Sequence, residues 1–296
     1  GTQPALMFNR YFDKENNISI VDFGSKIQIS AQAKESIQLK TLKNQSVFAA
    51  LSQVNISIPI LDITANWFSN KMINSIDPYD NPADYSDQMI SNDEKVKEHA
   101  LKFINEAGFN ISDIFFQNEV HEISENFLKI IENSSIPDKE KQRLKKEKSI
   151  AIQKTFFTHK IVKESEKEYF NLPWERQSKG TIRYYGLSAP FYKLIEENAF
   201  LPVDEIGSSL HPLLVIHFLK EFLKKSNNAQ LIFTTHNLSL LIEKDILRKD
   251  AIWFTEKEKN GSTNLFSVAD FNFRKKLSFY NAYKQGKFGA IPVLED

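Results

Sequence analysis

The segment FLPVDEIGSSLHP, residues 200–212, places two adjacent acids, Asp204 and Glu205, directly after an apolar run. That order predicts a strand whose carboxyl end delivers two carboxylates to the open edge of a sheet. There Asp204 can hold a hydrated Mg²⁺, and Glu205 can orient and deprotonate an attacking water. One strand–helix unit later, AQLIFTTH ends in Thr234, Thr235 and His236. A histidine at that strand end is within reach of a terminal phosphate or of the same water. Upstream, Ser178 and Gly180 in SKGTIRYYG offer a hydroxyl and backbone amides at the start of a helix, the end that favours an anion. Each pattern also has a plainer reading: an ordinary strand-to-turn boundary, a structural histidine, a helix cap. Pro202 lacks the N–H that a central strand's ladder uses, which is a warning about local geometry. A metal-dependent hydrolase built from Asp204, Glu205, His211 and His236 is a further arrangement, but His211 stands directly before Pro212 at a helix start, where a structural role is ordinary.

These groups need a sheet with helices between its strands. After residue 155 the chain supplies that alternation: FFTHKIV, AFLPVDEI, AQLIFTTH and DAIWFTEK read as strands, and GTIRYYGLSAPFYKLIEEN and HPLLVIHFLKEFLKKS as helices. Strand–helix alternation predicts an α/β fold with a parallel sheet, and function in such sheets gathers at the carboxyl ends of strands. Three segments are expected. Residues 1–73 read as a β-rich front part, with PALMFNRYF and ISIVDFGSKIQIS as strands and NQSVFAALSQV as a helix. Residues 74–154 read as a helical insertion, and residues 155–296 as the site-bearing lobe. Within the insertion, residues 74–93 are crowded with Pro, Asp and Asn and predict a surface loop. DEKVKEHALKFINEAG then places Val96, Ala100, Leu101 and Ile104 at helical spacing with Gly108 as a C-cap. The charged stretch of residues 138–154 reads as a solvated helical arm or as a surface for a partner or nucleic acid, and both readings stay open.

Composition narrows the classes. Lys plus Arg equals Asp plus Glu at 38 each, so there is no global electrostatic funnel, and a nucleic-acid contact has to come from a local patch. The absence of cysteine removes disulfides, thiolate metal sites and cysteine nucleophiles, and fits a reducing, cytoplasmic setting. The apolar runs at residues 56–63 and 213–223 are too short or too interrupted to span a bilayer. The 24 phenylalanines are scattered, which reads as core filling rather than base stacking. No GxxxxGKS/T loop, whose amides and lysine grip phosphates, occurs in the sequence.

The succession SKGTIR, FLPVDEIGSSLHP, AQLIFTTHN, DAIWFTEKEKNGSTNLFSVADF and YKQGKFGAIP resembles the bacterial AAA/ABC-like ATP-binding proteins related to SMC and OLD-type ATPases. The likeness is good over residues 156–292, and LMFNRYF and VFAALSQVN also look like segments of that family. The resemblance implies an ABC-type ATPase lobe with an inserted helical arm and a sheet incomplete at its N-terminal side. It implies ATP and Mg²⁺ as cofactors, and a homodimer closed through the nucleotide site. It casts Ser178, Gly180 and Thr181 as a signature motif contacting the γ-phosphate of ATP held by the opposite subunit. Asp204 takes the Walker B place for Mg²⁺ and Glu205 that of the catalytic glutamate. Residues 208–212, beginning with Ser208, resemble the loop that crosses the dimer interface, and His236 the switch histidine. Gly207 departs from the aspartate frequent there. It implies a role in genome maintenance or anti-phage defence, with an effector partner. The larger departure is the phosphate-binding loop: three accounts remain, a piece of a longer protein, a separate front-half polypeptide, or a degenerate gene. ATP turnover by these residues alone is expected to be negligible. A non-catalytic interaction module on the same fold is the alternative.

Overall fold

A computed structural model describes residues 4–163, 166–243, 245–271 and 278–291. Pro292, the last residue of YKQGKFGAIP, lies outside them. The chain divides into two units, Gly1–Met72 and Ile73–Asp296.

In the first unit, strands β1 (Phe8–Asp13) and β2 (Ile18–Phe23) pair antiparallel, and helices α1 (Ala31–Lys40), α2 (Val47–Leu51) and α3 (Pro59–Lys71) follow. Its core is Val21, Ile27, Ile37, Val47, Ala50, Leu51, Ile58 and Leu61. The expected β-rich segment is therefore corrected to one hairpin and three helices. The hydroxyls of Ser30 and Ser46 start α1 and α2 by accepting from Ala33 N and Ala49 N, and Pro59 opens α3.

The second unit opens with α4 (Pro82–Asn92) and α5 (Glu94–Glu106). The predicted surface loop of residues 74–93 thus contains a helix. Asn81 caps it and Pro82 sits in its first turn, so turn-like composition was helix-start chemistry, and Ala83, Ser86 and Ile90 are buried. Helix α5 matches its predicted spacing: Val96, Ala100 and Ile104 are buried, and Gly108 just beyond it adopts φ 89°.

Nor is the stretch to residue 154 all helical. Strand β3 (Ile111–Glu122) leads through α6 (Glu125–Glu132) and α7 (Asp138–Glu147) into β4 (Ser149–Lys163), followed by β5 (Glu166–Pro173). These three strands form an antiparallel sheet in the order β3-β4-β5. β-Branched and aromatic residues at IFFQNEV and SIAIQKTFF favour strand over helix. Lys148, in a left-handed turn at φ 48°, ends α7 and returns the chain into β4. A boundary at residue 155 cuts through β4.

Helices α8 (Lys179–Gly186) and α9 (Ser188–Glu196) lead to β6 (Phe200–Val203), α10 (Pro212–Lys225) and β7 (Gln230–Phe233). Strands β6 and β7 pair in parallel, and Ile76 bridges Val203 in parallel on the other side. Strands β8 (Trp253–Lys257) and β9 (Thr263–Ser267) form an antiparallel hairpin packed with α11 (Phe279–Lys284). The parallel pairing expected after residue 155 is therefore found among the described residues only around the acids. Tyr184, Phe191, Phe103 and Phe218 form the aromatic heart of the main core, with Phe103 and Tyr184 stacked at 4.6 Å.

His99 on α5 lies against Phe103 and Phe191, and its Nδ1 is buried without a protein partner. Burial, reinforced by Lys225, lowers its pKa to about 4. Because the folded value lies below the ordinary one near 6.5, this contribution is fully present above that pH and is lost as pH falls through about 4. Thermal unfolding between pH 7 and 4 should show a smaller acid loss for His99→Gln than for the unaltered protein; parallel slopes would contradict this.

Candidate functional site

Strand β6 is short, and its ends are fixed by both neighbours. Pro202 is harmless there: its carbonyl accepts from Ile76 N at 3.1 Å, so its missing N–H falls on the side of residues 73–76 and not on the β7 ladder. Asp204 N donates to Ile76 O at 2.9 Å, while Thr234 N donates to Val203 O at 3.0 Å and Ile206 N to Thr234 O at 3.1 Å. The carboxyl ends of β6 and β7 thus lie side by side.

Thr234 joins the acids. Its hydroxyl accepts from Glu205 N at 2.9 Å and donates to an Asp204 carboxylate oxygen. Glu205 takes a left-handed backbone at φ 45°, and Ser209 another at φ 60°. Such conformations cost non-glycine residues about 1 kcal/mol or more and persist where the surroundings impose them. In this turn the Glu205 carboxylate reaches His236, with Nε2 3.1 Å from Oε1; the His236 side chain is 95% exposed and that of Glu205 28%. An exposed imidazole held by a carboxylate beside a second, hydroxyl-bonded carboxylate is an arrangement able to orient a water and accept its proton.

The other expected residues sit differently. Ser178 is the N-cap of α8: its hydroxyl accepts from Thr181 N at 3.0 Å and shares a 2.8 Å hydrogen bond with the Thr181 hydroxyl. The capping reading of this serine therefore holds as geometry, on an exposed turn. Gly180 ties that turn to the loop after the acids, because a Cβ there would come within 3.1 Å of Ser209 O. Ser208 N donates to Glu205 O at 2.8 Å, which closes the same loop. A Cβ at Gly207 would lie 3.8 Å from the Thr235 hydroxyl, an ordinary contact distance. His211 caps α10 by accepting from Leu213 N, so its ring is committed to the helix and not to the acids. Among the described residues no group of three or more His, Asp or Glu side chains converges as a metal cage. Thr234 is the participant to which sequence reasoning assigned no role; its only signal was a hydroxyl at the strand end beside the acidic one.

The sequence family described as "AAA domain, putative AbiEii toxin, Type IV TA system" matches residues 32–243, which include every site residue above. The chain belongs to this AAA-domain family. No curated protein matches it. Membership makes the chain an ATPase-like nucleotide-binding domain of mixed α/β structure, which agrees in class with strand ends carrying acids. Among the described residues of the AAA domain, no helix is long and apolar enough to cross a membrane.

Proposed function

We propose that residues 204–236 are the acid-bearing half of an ATP-hydrolysing site in a nucleotide-gated switch that two copies form together. The observation that carries the reading is the Thr234 and His236 pairing of Asp204 and Glu205 across adjacent parallel strand ends. Asp204 suits Mg²⁺: one of its oxygens is held by Thr234 and the residue is exposed, and Mg²⁺ commonly takes one or two carboxylates while keeping several waters. When bound, the ion would neutralise charge on the phosphates. Glu205 would take a proton from the attacking water, and His236 would hold that carboxylate in place. Ser178, Gly180 and Thr181, at the exposed start of α8, would meet nucleotide carried by the other copy, and Ser208 would lie in the loop between copies. A role in phage defence or DNA maintenance, with an effector protein or nucleic acid on the sheet formed by β3, β4 and β5, fits this switch.

The 296 residues contain no GxxxxGKS/T loop, so the switch needs that loop from elsewhere. Calorimetry tests this. The 296-residue chain should bind Mg·ATP weakly, and extension by the reading frame that precedes Gly1 should restore binding if that frame encodes the loop. In the restored protein, Asp204→Asn should make ATP affinity equal with Mg²⁺ and with EDTA. The missing loop also favours a second reading, a non-catalytic interaction module; silence of both the short and the extended chain would select it.

A further inference from the structure

The middle of one face of β4 is turned toward α4 and toward α8, the helix that the Ser178 turn opens. Thr155, Phe157 and His159 alternate along that strand and so share a face. The Thr155 hydroxyl donates to Asp87 of α4 at 2.6 Å, and the Tyr185 hydroxyl of α8 donates to the other oxygen of the same carboxylate. The Phe157 ring meets the Tyr185 ring edge-on at 5.0 Å. His159 and Gln177 pair through ring nitrogen and amide at 3.0 Å, and Gln177 is the residue before the Ser178 cap. Strand β5 then runs through the turn Trp174–Arg176 straight into that cap.

Asp87 of α4 accepts hydrogen bonds from two other elements at once, β4 and α8. Burial pushes its carboxyl upward, while the two donated hydrogen bonds oppose that shift. A half-buried carboxylate satisfied by donors from two different elements resists separation of either, because losing one donor leaves an oxygen poorly paired in a largely desolvated setting. On its far side α8 is equally tied: Arg183, buried, donates to the carbonyls of Asp77 at 3.1 Å and Asp80 at 3.3 Å. The preceding residue, Ile76, accepts the Asp204 amide. The contacts therefore form a continuous line from β4 through Asp87, Tyr185, Arg183 and Ile76 to the strand end that carries the acids.

We infer that Asp87 is a positioning residue through which the placement of the β3-β4-β5 sheet sets both the Ser178 turn and the Asp204 strand end. Strand β4 is buried at Thr155 and Phe157 and mostly exposed beyond them, and its neighbour β3 is buried at Ile111 and Ile114 at the same end, so a load on the outer part of the sheet is transmitted at this end. The consequence for ATP rests on the reading of residues 204–236 as a nucleotide site; the mechanical linkage does not.

Amide hydrogen exchange on the nucleotide-free 296-residue chain tests the linkage directly. Thr155→Val removes one donor to Asp87 at nearly constant volume. It should speed exchange at the Thr181 and Asp204 amides by about tenfold, the factor expected when roughly 1.4 kcal/mol of local support is lost. Thr155→Ser keeps the hydroxyl and should restore the original rates. Thr158→Val removes a hydroxyl bond to Asn171 that lies wholly within the sheet, 2.9 Å long, and should leave both amides unchanged. Acceleration confined to β4 in Thr155→Val, or equal acceleration in Thr158→Val, would overturn the proposal. Because no nucleotide is present, failure of the ATP reading leaves this result standing, and loss of the linkage leaves the ATP reading standing.

Discussion

Glu205→Gln is expected to abolish ATP turnover in the protein completed by a phosphate-binding loop, by a factor of about 10² to 10⁴, while nucleotide affinity stays nearly unchanged. The carboxamide keeps the size of the side chain and the backbone bond from Glu205 N to the Thr234 hydroxyl. It cannot accept a proton. His236→Ala should reduce turnover by a smaller factor, because His236 meets the site through the Glu205 carboxylate at 3.1 Å. Acting through one group, the two substitutions should not add: the double variant should be no slower than Glu205→Gln alone. Steady-state phosphate release measures all three. Turnover by Glu205→Gln within tenfold of the original would remove Glu205 as the base, and full additivity would separate His236 from it.

The acids and the histidine were legible in the sequence because each closes a short apolar run, and a strand must present whatever follows it at its carboxyl end. Their partner was not. The role of Thr234 depends on the register that sets Val203 opposite Phe233, and register is a property of pairing that no single strand records. Helix α5 was legible from its apolar spacing, whereas α4 was hidden because asparagine and proline serve turns and helix starts alike. Strand β3 and the first half of β4 were obscured for a different reason. Their outer halves are exposed and carry charges among the apolar residues, so nothing in the local pattern separates a solvated strand from a solvated helix until the two pair. The serine at residue 178 shows the limit on the functional side: a capping hydroxyl and a phosphate-facing hydroxyl have the same sequence.

Gly186 tests how α8 is held, and its replacement should have the largest effect on stability. It is the last residue of α8, where α8 crosses α4 so closely that a Cβ would lie 2.6 Å from Pro82 Cγ and 2.7 Å from Ala83 N. The second of these is backbone, which cannot rotate away. The carbonyl of Gly186 also accepts from the Ser86 hydroxyl at 2.8 Å, and that hydroxyl in turn accepts from Ala189 N at 3.4 Å. Relief of the clash therefore has to move α4 off α8 and stretch a buried hydrogen bond. Alanine favours a helix over glycine by up to about 1 kcal/mol, so propensity pulls in the opposite direction. The steric effect should win: overpacking against fixed neighbours costs about 1–3 kcal/mol or more, and the melting temperature of Gly186→Ala should fall by roughly 5 °C. Gly207→Ala is the matched comparison, since its nearest neighbour is the Thr235 hydroxyl at 3.8 Å and its backbone needs no left-handed turn. It should melt within about 1 °C of the original. Equal melting of the two variants would mean that α4 and α8 are not locked together at this crossing. The line of contacts from Asp87 to Asp204 would then lose its rigid support.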